Sequence, residues 1–164
     1  MCLFSKENKL VRAEEDIVCY KRLLPIFEKD GVKFITPYQL MEVPLEVIKG
    51  KADFKAEGDK EIHGFNNEYT ICGGFIHTYA FLRDALEEID MDGQSGVNCD
   101  DIVLQCIIPK GTYYLEGQDS FGHRGFASRK IRFTIDEESI NKEVLESLID
   151  ERVENLKNFK NGLA

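Results

Sequence analysis

Ile102-Val103-Leu104-Gln105-Cys106-Ile107-Ile108-Pro109-Lys110-Gly111-Thr112-Tyr113-Tyr114-Leu115 is the stretch on which the fold turns. From Ile102 to Ile108 both alternating sets of side chains are apolar apart from Gln105, the pattern of a strand covered on each face and so of the middle of a sheet. Pro109-Lys110-Gly111 fits a type I turn, proline presetting φ at its second position and glycine being favoured at its fourth. Thr112–Leu115 is then expected as the hairpin partner. Downstream, residues 117–125 read as a polar loop. In Ala127–Ile135 the alternation puts Ile131, Phe133 and Ile135 on a core face and Ser128, Lys130, Arg132 and Thr134 on a wet one. Beyond Asp136, an N-cap followed by Glu137 and Glu138, the apolar residues Ile140, Val144, Leu148, Val153, Leu156 and Phe159 predict a long amphipathic helix stopped by Asn161-Gly162.

Upstream, Tyr69–Cys72 looks extended, Gly73-Gly74 breaks it, and Thr78 is placed to cap a short helix. Its packed face would carry Tyr79, Leu82, Leu86 and Ile89, with Arg83, Asp84, Glu87 and Glu88 in solvent up to about Asp90. Asp16–Arg22 and Val32–Thr36 have strand composition on either side of the turn-forming Asp30-Gly31. Pro37 interrupts regular structure, and residues 38–68 predict short strands and surface loops. Residues 1–15 show mixed charge and little periodicity, so they are expected as a flexible leader before a single domain over 16–164. The fold class expected is α+β: a mainly antiparallel sheet with one short helix and a long C-terminal helix packed on it.

Composition bounds the function. The 164 residues include 21 Lys and Arg against 30 Asp and Glu, a net charge of −9, which opposes sequence-independent binding to duplex nucleic acid or an anionic membrane. No apolar run reaches the length of a membrane span, and Met1–Leu10 lacks the form of a signal peptide, so a cytoplasmic protein is expected. The cysteines, 5 in number and without a C-x-x-C pair, imply no disulfide framework, and Cys19 and Cys106 sit in apolar runs as core thiols.

Motifs for known chemistries are incomplete. Asp90–Asp101 has acids at the first, third and last positions of a calcium-loop frame, but Gln94 and Ser95 stand where the frame needs a ligand and a glycine. His63, His77 and His123 have no zinc spacing, although Cys72, His77 and His123 could converge from a distance. Cys2 as an N-terminal nucleophile would need a strand holding it in a cleft, whereas the residues after it read as a tail. No nucleophile elbow, phosphate loop or dinucleotide fingerprint is present, so no cofactor, no metal and no catalytic set is expected. Charge is nonetheless segregated. Residues 109–133 hold Lys110, Arg124, Arg129, Lys130 and Arg132 against two acids, whereas residues 84–101 hold seven acids and no Lys or Arg. With Tyr113, Tyr114, Phe121, His123 and Phe126 nearby, the basic stretch could form an anion or nucleotide pocket. The plainer alternative is a solvated strand face that neutralises acidic neighbours.

Met1–Phe4, Asp16–Lys21, Gly74–Tyr79, Cys106–Tyr114 and Ala127–Ile131 together resemble small proteins of Bacteroides-type gut bacteria and their phages, a group of unknown function. The resemblance spans about residues 16–135 and implies a shared fold without an activity. Gly74–Thr78 and Ser128 are also faintly similar to the strand-turn-helix and the serine-bearing strand of ADP-ribosyltransferase-like domains. The catalytic arginine of the first strand and the glutamate of a late strand have no counterpart here. The expectation is therefore a domain binding a small anion, a nucleotide or a protein partner, with His77, Tyr79, Arg124, Ser128, Lys130 and Arg132 as ligand-binding residues. One alternative is an NAD-consuming transferase with its pocket between the Tyr20–Lys21 strand and the Gly74–Tyr79 turn. The other is a pure interaction module working through the Asp136–Phe159 helix.

Overall fold

A computed structural model describes residues 3–28, 31–37, 39–94 and 101–134. In chain order the elements are β1 (Leu3–Ser5), β2 (Val11–Arg12), β3 (Ile17–Glu28), β4 (Gly31–Ile35), β5 (Glu42–Val43), α1 (Leu45–Ile48), β6 (Phe54–Lys55), β7 (Ile62–Phe65), β8 (Glu68–Ile71), β9 (Ile76–Tyr79), α2 (Leu82–Gln94), β10 (Ile102–Ile108), β11 (Tyr113–Gln118), β12 (Arg124–Ser128) and β13 (Lys130–Phe133). As its composition predicts, β10 is internal. It pairs antiparallel with β3 from Ile102↔Leu23 to Ile108↔Ile17 and, on its other edge, with β13.

The turn after β10 does not close a hairpin. Gly111 N–H donates to Ala13 O at 2.8 Å and Ala13 N–H to Thr112 O at 2.9 Å, so the segment before β3 captures the chain and directs β11 to β12, β1 and β2 instead. A non-local pairing has taken the donors that a local hairpin would have used. Between β12 and β13 stands Arg129 alone. The strand path β13-β10-β3-β9-β12 thus leaves and returns to one stretch of chain, a loop joined through the chain at Arg129 rather than by a pairing between β12 and β13. Arg129 makes the bend, its N–H turned to Tyr113 O and its carbonyl to the amide of Ala56. Every strand of the loop sends residues into one buried cluster: Cys19 and Leu23, Ile76, Leu104 and Cys106, Phe126, Ile131 and Phe133. Ala127 points to the other face and joins Leu3, Ile71, Phe75 and Leu115 in a second cluster.

The α+β expectation is corrected by this topology. The described residues form a 13-stranded sheet in which every pairing is antiparallel, and their helices have only 4 and 13 residues. The expected helix Asp136–Phe159 lies outside the described residues. Much of the extra strand content comes from segments too short for a periodicity to register, β1, β2, β5 and β6 having two or three residues each. Residues 1–15, expected as a leader, supply two of these. Leu3 is fully buried because β1 lies between β8 and β11, where a leucine completes the second cluster. The β7–β8 hairpin turns at Asn66-Asn67, both at positive φ (50° and 62°), a conformation that asparagine tolerates better than other side chains and that suits a tight hairpin.

The helix after the glycines is also displaced. Thr78 is a strand residue opposite Phe126, and α2 starts at Leu82, because Ile76–Tyr79 fills the slot between β3 and β12 and is buried throughout. The packed face of α2 is consequently polar. Ala85 is buried beside Asp84 and Glu88, whereas Leu82 and Leu86 are exposed. No helix among the described residues is long and apolar enough to cross a membrane.

Candidate functional site

A strand that alternates inside and outside places Cys19, Lys21 and Leu23 on one face of β3, and that face belongs to the core. Lys21 is therefore a cation sent inward among apolar and thiol groups, and it is only 7% exposed. Its Nζ donates to His77 O at 2.8 Å. Among the described residues no carboxylate comes within ion-pair distance of it, so of three ammonium donors one has a partner. Burial holds its pKa down at about 8, against weaker opposition from the Cys106 and Cys19 sulfurs. Those sulfurs lie 3.4 Å apart on directly opposed residues of β3 and β10. Burial keeps the Cys106 thiol protonated, and the hydrogen bond from Cys106 favours ionisation at Cys19.

His77 enters from β9. Gln39, on the turn after β4, brings its amide nitrogen 3.5 Å from His77 Nδ1 while donating to Cys72 O at 3.1 Å. His77 Nε2 is buried and has no hydrogen-bond partner. Burial, followed by the nearby Lys21 charge, lowers the His77 pKa to about 3, so the ring is neutral at pH 7. Gly74 makes this approach possible. At φ +76° it lies where a Cβ would come within 2.2 Å of Asp59 O, and Phe75 follows directly into the wall.

These groups surround a cavity of about 20 Å³ whose polar lining includes Lys21, Arg22, Thr36, Gln39, His77 and Tyr79. That is room for a water or two, or for one small polar group. Arg22 and Tyr79 are already committed on their far sides. Arg22 Nη1 meets Asp92 at 2.7 Å and Glu88 at 3.9 Å, and its Nε binds Asp101. Burial disfavours the guanidinium charge, but hydrogen bonds to Asp92 and Asp101 outweigh that and tighten its proton. The Tyr79 hydroxyl donates to Glu88. The cavity therefore offers the Lys21 ammonium as a charged donor, with the unpartnered His77 Nε2 beside it.

Of the residues expected to bind a ligand, His77 and Tyr79 line this cavity and the other four do not. Arg124 pairs with Glu116 on the surface and lies over the Phe126 ring at 5.7 Å. Lys130 and Arg132 reach Asp53 at 3.9 and 2.7 Å, the neutralised strand face that was the plainer alternative. Ser128 is buried and donates to Lys130 O at 3.2 Å. The cavity does lie between the Tyr20–Lys21 strand and the Gly74–Tyr79 turn, the place named for the transferase alternative. Arg22, Thr36 and Gln39 had no sequence signal beyond being polar residues near strands. Lys21 had one, a lysine at a core-facing position of an otherwise apolar strand. Compared with protein-family models, curated proteins and solved structures, the chain matches none.

Proposed function

We propose that this domain binds a small anionic ligand, and that the cavity receives its carboxylate end. The observation that carries the reading is Lys21, a buried ammonium with a single neutral partner. Leaving such a charge without a counter-charge is costly, and a carboxylate supplies both the opposite charge and lone pairs for the remaining donors of Nζ. The size of the cavity supports a carboxylate on a chain that stays outside and gives no room to a nicotinamide ring.

The experiment is a thermal-shift titration at pH 7 with sodium acetate, sodium succinate and NAD, against sodium chloride at matched ionic strength. Acetate or succinate should raise Tm saturably, and Lys21→Met should abolish the rise. A Tm that carboxylates leave unchanged, or raise equally in the variant, overturns the reading. A rise with NAD alone, accompanied by nicotinamide release, would replace it with the transferase.

A further inference from the structure

A second polar cluster lies at the junction of α2 with the turn between β11 and β12. Asp84 and Glu87 are three residues apart, so their carboxylates share one helix face, and the turn brings His123 against them. Ligand atoms of Asp84, Glu87 and His123 lie within 4.8 Å of one another. His123 Nε2 is 3.6 Å from Glu87 Oε2, and Nδ1 is 3.0 Å from Asp119 Oδ2. Asp119 is itself anchored, its Oδ1 accepting the amides of Phe121 and His123 at 2.9 Å each.

A carboxylate only accepts, so Nδ1 donates to Asp119, and Nε2 is the ring nitrogen left for another partner. Nε2 faces Glu87, which has only lone pairs to offer. The 3.6 Å gap is bridged either by a proton on Nε2 or by a metal ion that the imidazole and the carboxylate share, and the convergence of Asp84 on the same point favours the ion. Four carboxylates gather around this imidazole, because Glu88 and Asp119 also lie within 4.8 Å of it. The cations that meet them are distant or shared: Arg83, 83% exposed at its side chain, stands 3.8 Å from Asp84, and Arg22 stands 3.9 Å from Glu88.

We infer that His123 Nε2, Asp84 and Glu87 bind a divalent first-row transition ion, with water completing its coordination. An acid that orients a metal-binding imidazole through its other nitrogen is the usual outer support of such a site, and Asp119 occupies that position. One imidazole with two carboxylates suits Zn²⁺ or Mn²⁺, whereas Ca²⁺ and Mg²⁺ prefer all-oxygen sets. Glu88 receives the Tyr79 hydroxyl, which leaves Asp84 and Glu87 as the available carboxylates and ties this cluster to the wall of the cavity.

Calorimetric titration of the chelator-stripped full chain with ZnCl₂ and MnCl₂ tests the site. One equivalent of at least one of the two metals should bind, with CaCl₂ and MgCl₂ at least about tenfold weaker. His123→Gln should abolish that binding, and so should Glu87→Gln, which changes an exposed side chain and leaves the fold in place. Asp119→Asn keeps all three ligands and should weaken affinity by about 10- to 100-fold. Absence of binding by both transition ions, or one-equivalent binding that survives either Glu87→Gln or His123→Gln, overturns the inference.

Discussion

Replacing Lys21 with methionine keeps most of the apolar stem and removes the charge, which makes the substitution a direct probe of the energetic state of the cavity. Burial takes the ammonium from 10.5 in the open chain to about 8 in the folded one. At about 1.4 kcal/mol per pH unit, that difference corresponds to about 3 kcal/mol of stability. The sign follows from proton counting: between pH 8 and 10.5 the unfolded chain still holds a proton that the folded chain has released, so stability rises with pH across that window. It is lost again as pH falls through 8. Titrations of groups away from Lys21 occur in both proteins and cancel in the comparison. Urea denaturation of wild type and Lys21→Met at pH 7 and pH 10.5 should therefore show the difference, wild type minus variant, shifting by about 3 kcal/mol in favour of wild type at the higher pH. A difference that is the same at both pH values refutes the argument that Lys21 is a buried cation lacking a counter-charge.

Three other outcomes follow from the same structure. His77 holds a folded pKa of about 3 against 6.5 in the open chain, so stability is fully present above pH 6.5 and lost as pH falls toward 3. His77→Gln should remove a loss of up to about 5 kcal/mol from an acid denaturation series. Leu3→Ala should destabilise the domain by about 2–5 kcal/mol in urea, since a fully buried leucine is truncated in a packed cluster; a change near zero would detach β1 from the sheet. Gly74→Ala forces a Cβ toward Asp59 O at a positive φ. It should cost at least about 1–3 kcal/mol and weaken acetate binding, measured by denaturation and by titration.

The sequence made β10, the β3–β4 hairpin and the burial of Ile131 and Phe133 legible, because each rests on several consecutive side chains with a clear period. It misplaced Thr78 and inverted α2. A run such as Tyr79, Leu82, Leu86 and Ile89 has helical spacing, but the choice of packed face was settled by Arg22 and Tyr79, which engage Glu88 from the sheet. Long-range pairing also decided the fate of β11, since Ala13 is far from Gly111 in sequence and no local signal marks their contact. For the cavity, His77 and Tyr79 were visible beside a glycine turn, whereas the cations of residues 124–132 attracted attention by number alone. Asp53 and Glu116 neutralise three of them. The consequential cation was the less conspicuous one, a lone lysine on a strand face otherwise occupied by Cys19 and Leu23.

The most direct measurement is an NMR pH titration of the Lys21 side-chain ¹³Cε–¹Hε signal, assigned by its loss in Lys21→Met, without and with saturating acetate. A buried Lys21 ammonium should titrate with a midpoint of about 8 alone and move clearly upward when the carboxylate is bound. A midpoint near that of an ordinary solvent-exposed lysine, or one that acetate leaves unmoved, contradicts this.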